Sequence, residues 1–299
     1  MRSPAPANGT SPERLFSEIS AWDRVKLARL PDRPRTLDYI DALITDFVEL
    51  HGDRAYGDDR ALIGGIGQLG NRTVLVLGQQ RGIDTRENIA RNFGMSRPEG
   101  YRKARRLLEH AGQFGLPVVT LIDTPGADPG LGSEERGQGT AIAESLMTMV
   151  STPVPMVACV IGQGGSGGAL AIGVADRILM LENSVYAVAS PEACASILWK
   201  DASKAPEAAE TMRLTAPELH AFGIIDDVIP EPVPANEAPH DTIRRVGEAL
   251  RTTLDTLDRI YPPAEADTGE RLLSDRYVKF RRIGAWREAT QTEWHLPAE

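Results

Sequence analysis

Cysteine and histidine are scarce in this 299-residue chain, which holds two of the first and five of the second. Cys159 and Cys194 stand in apolar surroundings, far from any Cys-x-x-Cys or histidine-rich spacing. Buried thiols are therefore expected, with no structural zinc and no disulfide. Long apolar runs are missing as well, since none approaches the roughly 18 residues that span a bilayer. The opening MRSPAPANGTSPER has no apolar signal core, so a cytoplasmic protein is expected. Positive charge is in deficit, 33 Lys and Arg against 42 Asp and Glu, a net charge of −9. Nucleic acids and anionic membranes would repel such an average surface, and neither is an expected partner. No Gly-Lys pair occurs anywhere, so Asp123-Thr124-Pro125-Gly126, although it mimics the DxxG of GTPases, has no phosphate loop to serve.

What is present suffices for a sizeable core, with 41% hydrophobic residues. Residues 1–12, rich in Pro, Ser and Ala, read as a disordered tail, and so do residues 288–299. Between them a single domain over 13–284 is expected, with N-terminal helices in 13–51, a core over 61–229 and C-terminal helices in 241–284. From Thr36, read as an N-cap, the residues Leu37, Ile40, Ile44, Phe47 and Val48 recur at helical spacing and predict one helix ending near His51-Gly52. The β-rich runs 61–66 and 73–77 flank a hairpin turn at Gly67-Gln68-Leu69-Gly70-Asn71. Pro98, the spacing of Tyr101, Ala104, Leu108, Ala111 and Phe114, and Gly115 as a stop mark an amphipathic helix. A strand at 116–122, a loop at 123–130, a helix from about Ser133 and a strand at 154–161 then make a βαβ unit. That order implies parallel strands and an α/β fold.

Strands at 177–181, 185–189 and 224–229 continue the pattern. Between them lie a helix opened by Ser190-Pro191-Glu192 and another boxed by Thr215 and Glu218 and closed by Gly223. The segment Pro230-Glu231-Pro232-Val233-Pro234-Ala235-Asn236 reads as a linker. Beyond it Ile243, Val246, Leu250, Leu254 and Leu257 form a helical stripe, and a second helical segment surrounds Tyr277 and Phe280. Both suggest an accessory layer or an interface element.

The most informative run is Gly162-Gln163-Gly164-Gly165-Ser166-Gly167-Gly168-Ala169-Leu170, between strand 154–161 and a short helix reaching toward Asp176. Three patterns overlap in it. Gly162, Gly164 and Gly167 spell GxGxxG, with Glu182 placed to meet a ribose, but the helix is short for a dinucleotide unit. Gly164, Ser166 and Gly168 spell GxSxG, a nucleophile elbow that would recruit Asp226 and His240. Gly167 and Gly168 also present adjacent N–H groups at a helix start with no Cβ to block approach. A donor so placed contributes roughly 3–4 kcal/mol to an oxyanion that forms only in the transition state. The plain alternative is that the glycines allow close helix–strand packing.

Separated motifs over about 33–284 decide among these. Arg33-Pro34 with Thr36-Leu37-Asp38-Tyr39, Gly52-Asp53-Arg54-Ala55-Tyr56, Arg91-Asn92-Phe93-Gly94-Met95, Pro98-Glu99-Gly100-Tyr101-Arg102-Lys103-Ala104, Ile122-Asp123-Thr124-Pro125-Gly126-Ala127 and Glu134-Glu135-Arg136-Gly137-Gln138 stand beside the glycine run. With Ser190-Pro191-Glu192, Ile197-Leu198-Trp199-Lys200 and the tail Arg276-Tyr277 and Lys279-Phe280-Arg281, the chain resembles the α-subunit family of bacterial acetyl-coenzyme A carboxylase carboxyltransferases, within the crotonase-like superfamily.

The resemblance implies an α/β fold, a crotonase-like (ClpP/crotonase) spiral of β-β-α units with helical N- and C-terminal additions. It implies transfer of CO2 from carboxybiotin, supplied by a separate biotin carboxyl carrier protein, to acetyl-CoA, giving malonyl-CoA for fatty-acid synthesis. The implied partners are a zinc-ribbon β subunit in an α2β2 tetramer and biotin carboxylase in the larger complex. No metal is expected in this chain, and no biotin-attachment Met-Lys-Met occurs in it. A related biotin-dependent carboxyltransferase or decarboxylase subunit of different acyl preference is the alternative, and a non-catalytic scaffold subunit another. By resemblance, the N–H groups of Gly167 and Gly168 serve the biotin ureido oxygen, and Gly126, Ala127, Gly130, Gly164, Gly165 and Arg81 lie on the carboxybiotin side. Ser166 is then a small spacer. Asp128 stands where the family usually has an aromatic residue. The basic cluster Arg102, Lys103, Arg105 and Arg106 reads as a solvated helix face.

Overall fold

The computed structural model describes residues 19–284, so both expected tails lie outside the described residues. In chain order the elements are α1 (Ala21–Ala28), α2 (Thr36–Leu43), β1 (Thr45–Glu49), β2 (Leu62–Leu69), β3 (Arg72–Gln79), α3 (Thr85–Ala90), α4 (Pro98–Phe114) and β4 (Val118–Thr124). Then come α5 (Leu131–Glu135), α6 (Gln138–Ser151), β5 (Met156–Gly165), α7 (Ser166–Leu170), β6 (Arg177–Leu181), β7 (Val185–Ala187) and α8 (Pro191–Trp199). Last are α9 (Ala205–Met212), α10 (Ala216–Ala221), β8 (Asp227–Ile229), α11 (Pro239–Ile260) and α12 (Thr268–Arg281).

The strands form one sheet in the order β1-β2-β3-β4-β5-β6-β8, with β7 beside the end of β5. The first two pairings are antiparallel and those from β3 onward are parallel. A parallel sheet needs both faces covered, and the alternation along each strand supplies two cores. Leu75, Leu77, Ile122, Ala158, Val160 and Met180 point to one face, where α4 and α6 pack through Ala104, Leu107, Leu108 and Met149. Val74, Val76, Leu121, Val157, Ile161 and Leu179 point to the other, under Tyr39 and Ile40 of α2 and the stripe of α11.

On that second face α11 packs as the accessory layer, the first of the two alternatives expected of the C-terminal helices. Ile243, Val246, Leu250, Leu254 and Leu257 are buried on the sheet, so the stripe is core and not an interface. The helix foreseen from Thr36 to His51 also divides. It stops at Leu43, and 45–49 forms an edge strand, because Gly65 and Gly67 of β2 open the space that Phe47 and Ile44 fill; a Cβ there would lie 2.6 and 2.4 Å from their side chains. The helix foreseen from Ser133 is two, parted at Gly137 with φ of +79°. The supposed linker after Ile229 is anchored. Glu231 is buried and pairs with the fully buried Arg33 at 2.8 Å.

Only part of the cluster on α4 is a solvated face: Arg105 keeps 41% of its side chain exposed and pairs with Glu109 and Glu144, whereas the others are held by the fold. Lys103 is fully buried and donates to Asp58 at 2.6 Å and to the Asp59 carbonyl at 2.8 Å. Arg102 binds Asp53 and Glu99, and Arg106 donates to the carbonyl of Gly52. Cys159 is buried as expected, its thiol pushed up to about 12 by burial, whereas Cys194 is half-buried. Among the described residues no helix is long and apolar enough to cross a membrane.

Candidate active site

The site forms where the β4–β5 ladder breaks. Ile122 pairs with Val160, but Thr124 pairs with Gly164, so β5 carries extra residues across the step. A break of this kind strands backbone N–H groups that must find a partner. The buried Asp123 carboxylate supplies one, accepting from the Gln163 N–H at 3.0 Å. It lies so close that a Cβ on Gly162 would sit 2.3 Å from its Oδ1. The first glycine of the run is therefore there for Asp123, and the GxGxxG spacing is incidental. Glu182 settles the dinucleotide pattern too, since it is buried and accepts from the Glu231 N–H at 2.9 Å.

Past the break β5 continues to Gly165 and the chain turns into α7 at Ser166, earlier than the sequence suggested. The loop after β4 lies directly on this turn. A Cβ on Gly165 would stand 2.1 Å from the Pro125 carbonyl oxygen, and one on Gly168 would stand 2.6 Å from the Ala127 nitrogen. Thr124 folds the loop back, its hydroxyl donating to the Gly126 carbonyl at 2.7 Å and accepting from the Gly126 N–H at 3.1 Å. Gly126, at φ of +155°, has open space where a side chain would be. Gly126, Ala127, Gly165, Gly167 and Gly168 thus meet in one place. The N–H groups of Gly167 and Gly168 fall in the first turn of α7, where no helical carbonyl lies four residues back to bond them.

The remaining expected residues stand farther out. Gly164 is buried in the sheet between Thr124 and Tyr186, its α-carbon covered by the Tyr186 ring. Gly130 closes the loop beside the Asp128 carboxylate. Burial pushes that carboxyl up, but hydrogen bonds from Ser133, Asn92 and the Gly130 N–H outweigh it and hold it below the usual range. Arg81 turns inward to pair with Asp123 at 2.7 Å, beneath Gly94, whose missing side chain makes room for it. Its role is to hold Asp123, which holds Gln163.

Gln79 was not found from sequence. This fully buried side chain donates to the Gly168 carbonyl at 3.0 Å and accepts from the Asp123 N–H at 3.3 Å, clamping α7 to the end of β4. A glutamine closing an apolar strand gives no motif to read. Arg29 was missed as well; it bridges Gln163 at 3.1 Å and Glu192 of α8 at 2.6 Å, and that bond keeps the Glu192 carboxyl below its ordinary value. Gln79→Leu should strand two buried polar groups and cost about 1–3 kcal/mol. A lowered melting midpoint is the expected result.

An apolar groove of about 430 Å³ opens beside the turn, lined by Ser166, Gly167, Leu170, Tyr186, Val188 and Met212 among others. Tyr186 is no base there, since burial pushes its hydroxyl up to about 12. The partners a hydrolase would need also stand elsewhere. Asp226 accepts from the Ile178 N–H and pairs with Lys279, and His240 lies beside Asp38 and Asp41, at a separate cleft from Ser166.

The family described as acetyl co-enzyme A carboxylase carboxyltransferase-like matches residues 7–284. The chain belongs to that family. It is 54% identical over 282 residues to the acetyl-coenzyme A carboxylase carboxyl transferase subunit alpha of Prochlorococcus marinus (strain MIT 9312), covering 94% of this chain and 82% of that one. It is 52% identical over 277 residues to the protein of the same name from Staphylococcus carnosus (strain TM300), covering 92% and 86%. Among solved structures, transcarboxylase 12S superposes with a TM-score of 0.61 at 22% identity, covering 77% of this chain and 44% of its own. A Pseudomonas malonate decarboxylase hetero-tetramer in complex with coenzyme A superposes at 0.57 and 19%, covering 76% and 90%. These neighbours show the crotonase-like fold.

Proposed function

We propose that this carboxyltransferase subunit works on the biotin side of a two-subunit site, moving CO2 from carboxybiotin on a carrier protein to acetyl-CoA to give malonyl-CoA. The observation that carries this reading is the seating of loop 125–127 on Gly165 and Gly168, which sets that loop against the first turn of α7, where the Gly167 and Gly168 N–H groups have no helical carbonyl to bond. A planar group fits there because the turn is bare: Gly126 has nothing within 4 Å of an added Cβ, and Gly167 has only Ile142, at 3.7 Å.

Carboxybiotin, when bound, supplies the carboxyl group and a ureido nitrogen able to take the methyl proton. This chain's own residues bind and orient. The N–H groups of Gly167 and Gly168 donate to the oxygen on which negative charge grows, and they need no reorganisation to do so because Gln79 and loop 125–127 fix α7. Holding two reactants against each other supplies much of the remaining acceleration. The thioester oxygen needs an oxyanion site of its own, which falls to a zinc-ribbon β partner in an α2β2 assembly, with biotin carboxylase completing the larger complex in the cytoplasm.

The test is reconstitution. Mixed with a β subunit and a carrier, the chain should support malonyl-CoA-dependent carboxylation of biotin, and alone it should support none. Full activity from the β subunit by itself would contradict the reading.

A further inference from the structure

Ser166 joins β5 to α7 with φ of +53°, a left-handed conformation that glycine takes at far less cost. Lys200 and Arg213 are also left-handed, but each closes the C-terminus of a helix, where such a residue caps carbonyls. Ser166 stands at a helix start, where that conformation caps nothing. Glycines flank it on both sides. Its side chain is exposed, and its hydroxyl makes no hydrogen bond among the described residues. It lines the apolar groove together with Gly167, the neighbour whose N–H is one of the two donors. A strained serine with an unused hydroxyl at a reacting centre points to function, because strain of this kind persists where it is used.

We infer that the Ser166 hydroxyl is a third donor at this site, hydrogen-bonding the ureido head group that the Gly167 and Gly168 N–H groups polarise, and so is a catalytic residue in place of a spacer. The exposed side chain stands next in sequence to the N–H pair and lines the groove with Gly167. The assignment rests on the carboxyltransferase reading. It makes no use of an acid–base partner, consistent with Asp226 being paired to Lys279 and His240 lining a separate cleft.

Two variants separate hydroxyl from backbone, each assembled with the β subunit and assayed for malonyl-CoA-dependent carboxylation of free biotin. Ser166→Gly removes both hydroxyl and strain; Ser166→Ala removes the hydroxyl and keeps the strain. Both should lose roughly tenfold in kcat/KM for biotin, the worth of one donor, with KM for malonyl-CoA unchanged. Ser166→Gly alone should melt at a higher temperature than the wild type. Biotin kinetics within twofold of wild type in both variants would make Ser166 a spacer and overturn the inference, as would a lower melting temperature for Ser166→Gly. A wild-type complex that transfers nothing would instead overturn the carboxyltransferase reading beneath it.

Discussion

Gly165→Ala is expected to abolish carboxyl transfer while leaving the sheet intact. The residue sits at φ of −93° and ψ of 120°, which alanine adopts freely, so backbone preference plays no part. The effect is steric. The new methyl would lie 2.1 Å from the Pro125 carbonyl oxygen, 2.3 Å from its carbon and 2.9 Å from the Gly126 nitrogen. Those are backbone atoms and cannot swing aside as a flexible side chain would, so the loop must lift off the turn. Overpacking of this sort costs about 1–3 kcal/mol of stability. The loss of function is larger, because displacing a preorganised donor pair by an ångström forfeits both orientation and charge stabilisation, on the order of a thousandfold or more. Gly139→Ala, on α6 with nothing within 4 Å of the added methyl, is the matched control and should retain full rate. Transfer kinetics with circular dichroism on both variants check the pair of outcomes.

Arg276→Met should be the most destabilising single change outside the site. The guanidinium is 2% exposed and grips Asp176 through two bonds of 2.8 Å. It also donates to the carbonyls of Met149, Thr152 and Val154 at 2.6, 2.8 and 2.9 Å, tying α12 to the end of α6 and the approach to β5. Methionine restores the packing but leaves three carbonyls and a buried carboxylate facing it without their cation. Breaking a buried pair from one side costs about 3–5 kcal/mol. The double variant Asp176→Asn with Arg276→Met should be less destabilised than the sum of the two singles, because it removes the stranded charge. Urea unfolding of the three variants measures this coupling.

Much of this architecture is written in local signals. Pro98 and Gly115 bound α4 as foreseen, and Gly70, at φ of +64°, turns the β2–β3 hairpin. Where reading failed, a tertiary contact had overridden a local pattern. Phe47 and Val48 continue the helical spacing of α2, yet the bare strand β2 alongside draws them into the sheet. Glu231 lies among prolines that read as a linker, yet it answers Arg33, almost two hundred residues earlier in the chain, and nothing nearby announces it. Lys103 looks solvent-facing by composition and is buried because Asp58 and the Asp59 carbonyl await it. At the site the glycines were legible as a run, and Gly162, Gly164, Gly165 and Gly168 each mark a close approach. Asp123 lay within a legible motif, but Gln79 and Arg29, which help make those approaches rigid, carry no periodicity or motif of their own.

The central claim is that backbone donors in this chain, and not only in its partner, stabilise the charge of the transfer step. Gly167→Val tests it most directly, since a Cβ there meets only Ile142, at an ordinary contact of 3.7 Å, and no atom of loop 125–127. Valine would stand over the N–H pair and bar the oxygen. In the complex with the β subunit, malonyl-CoA-dependent carboxylation of biotin should fall by about 100- to 1,000-fold in kcat, with assembly and KM for malonyl-CoA unchanged. Wild-type kcat in that variant would contradict the account and leave this chain as a scaffold for its partner's chemistry.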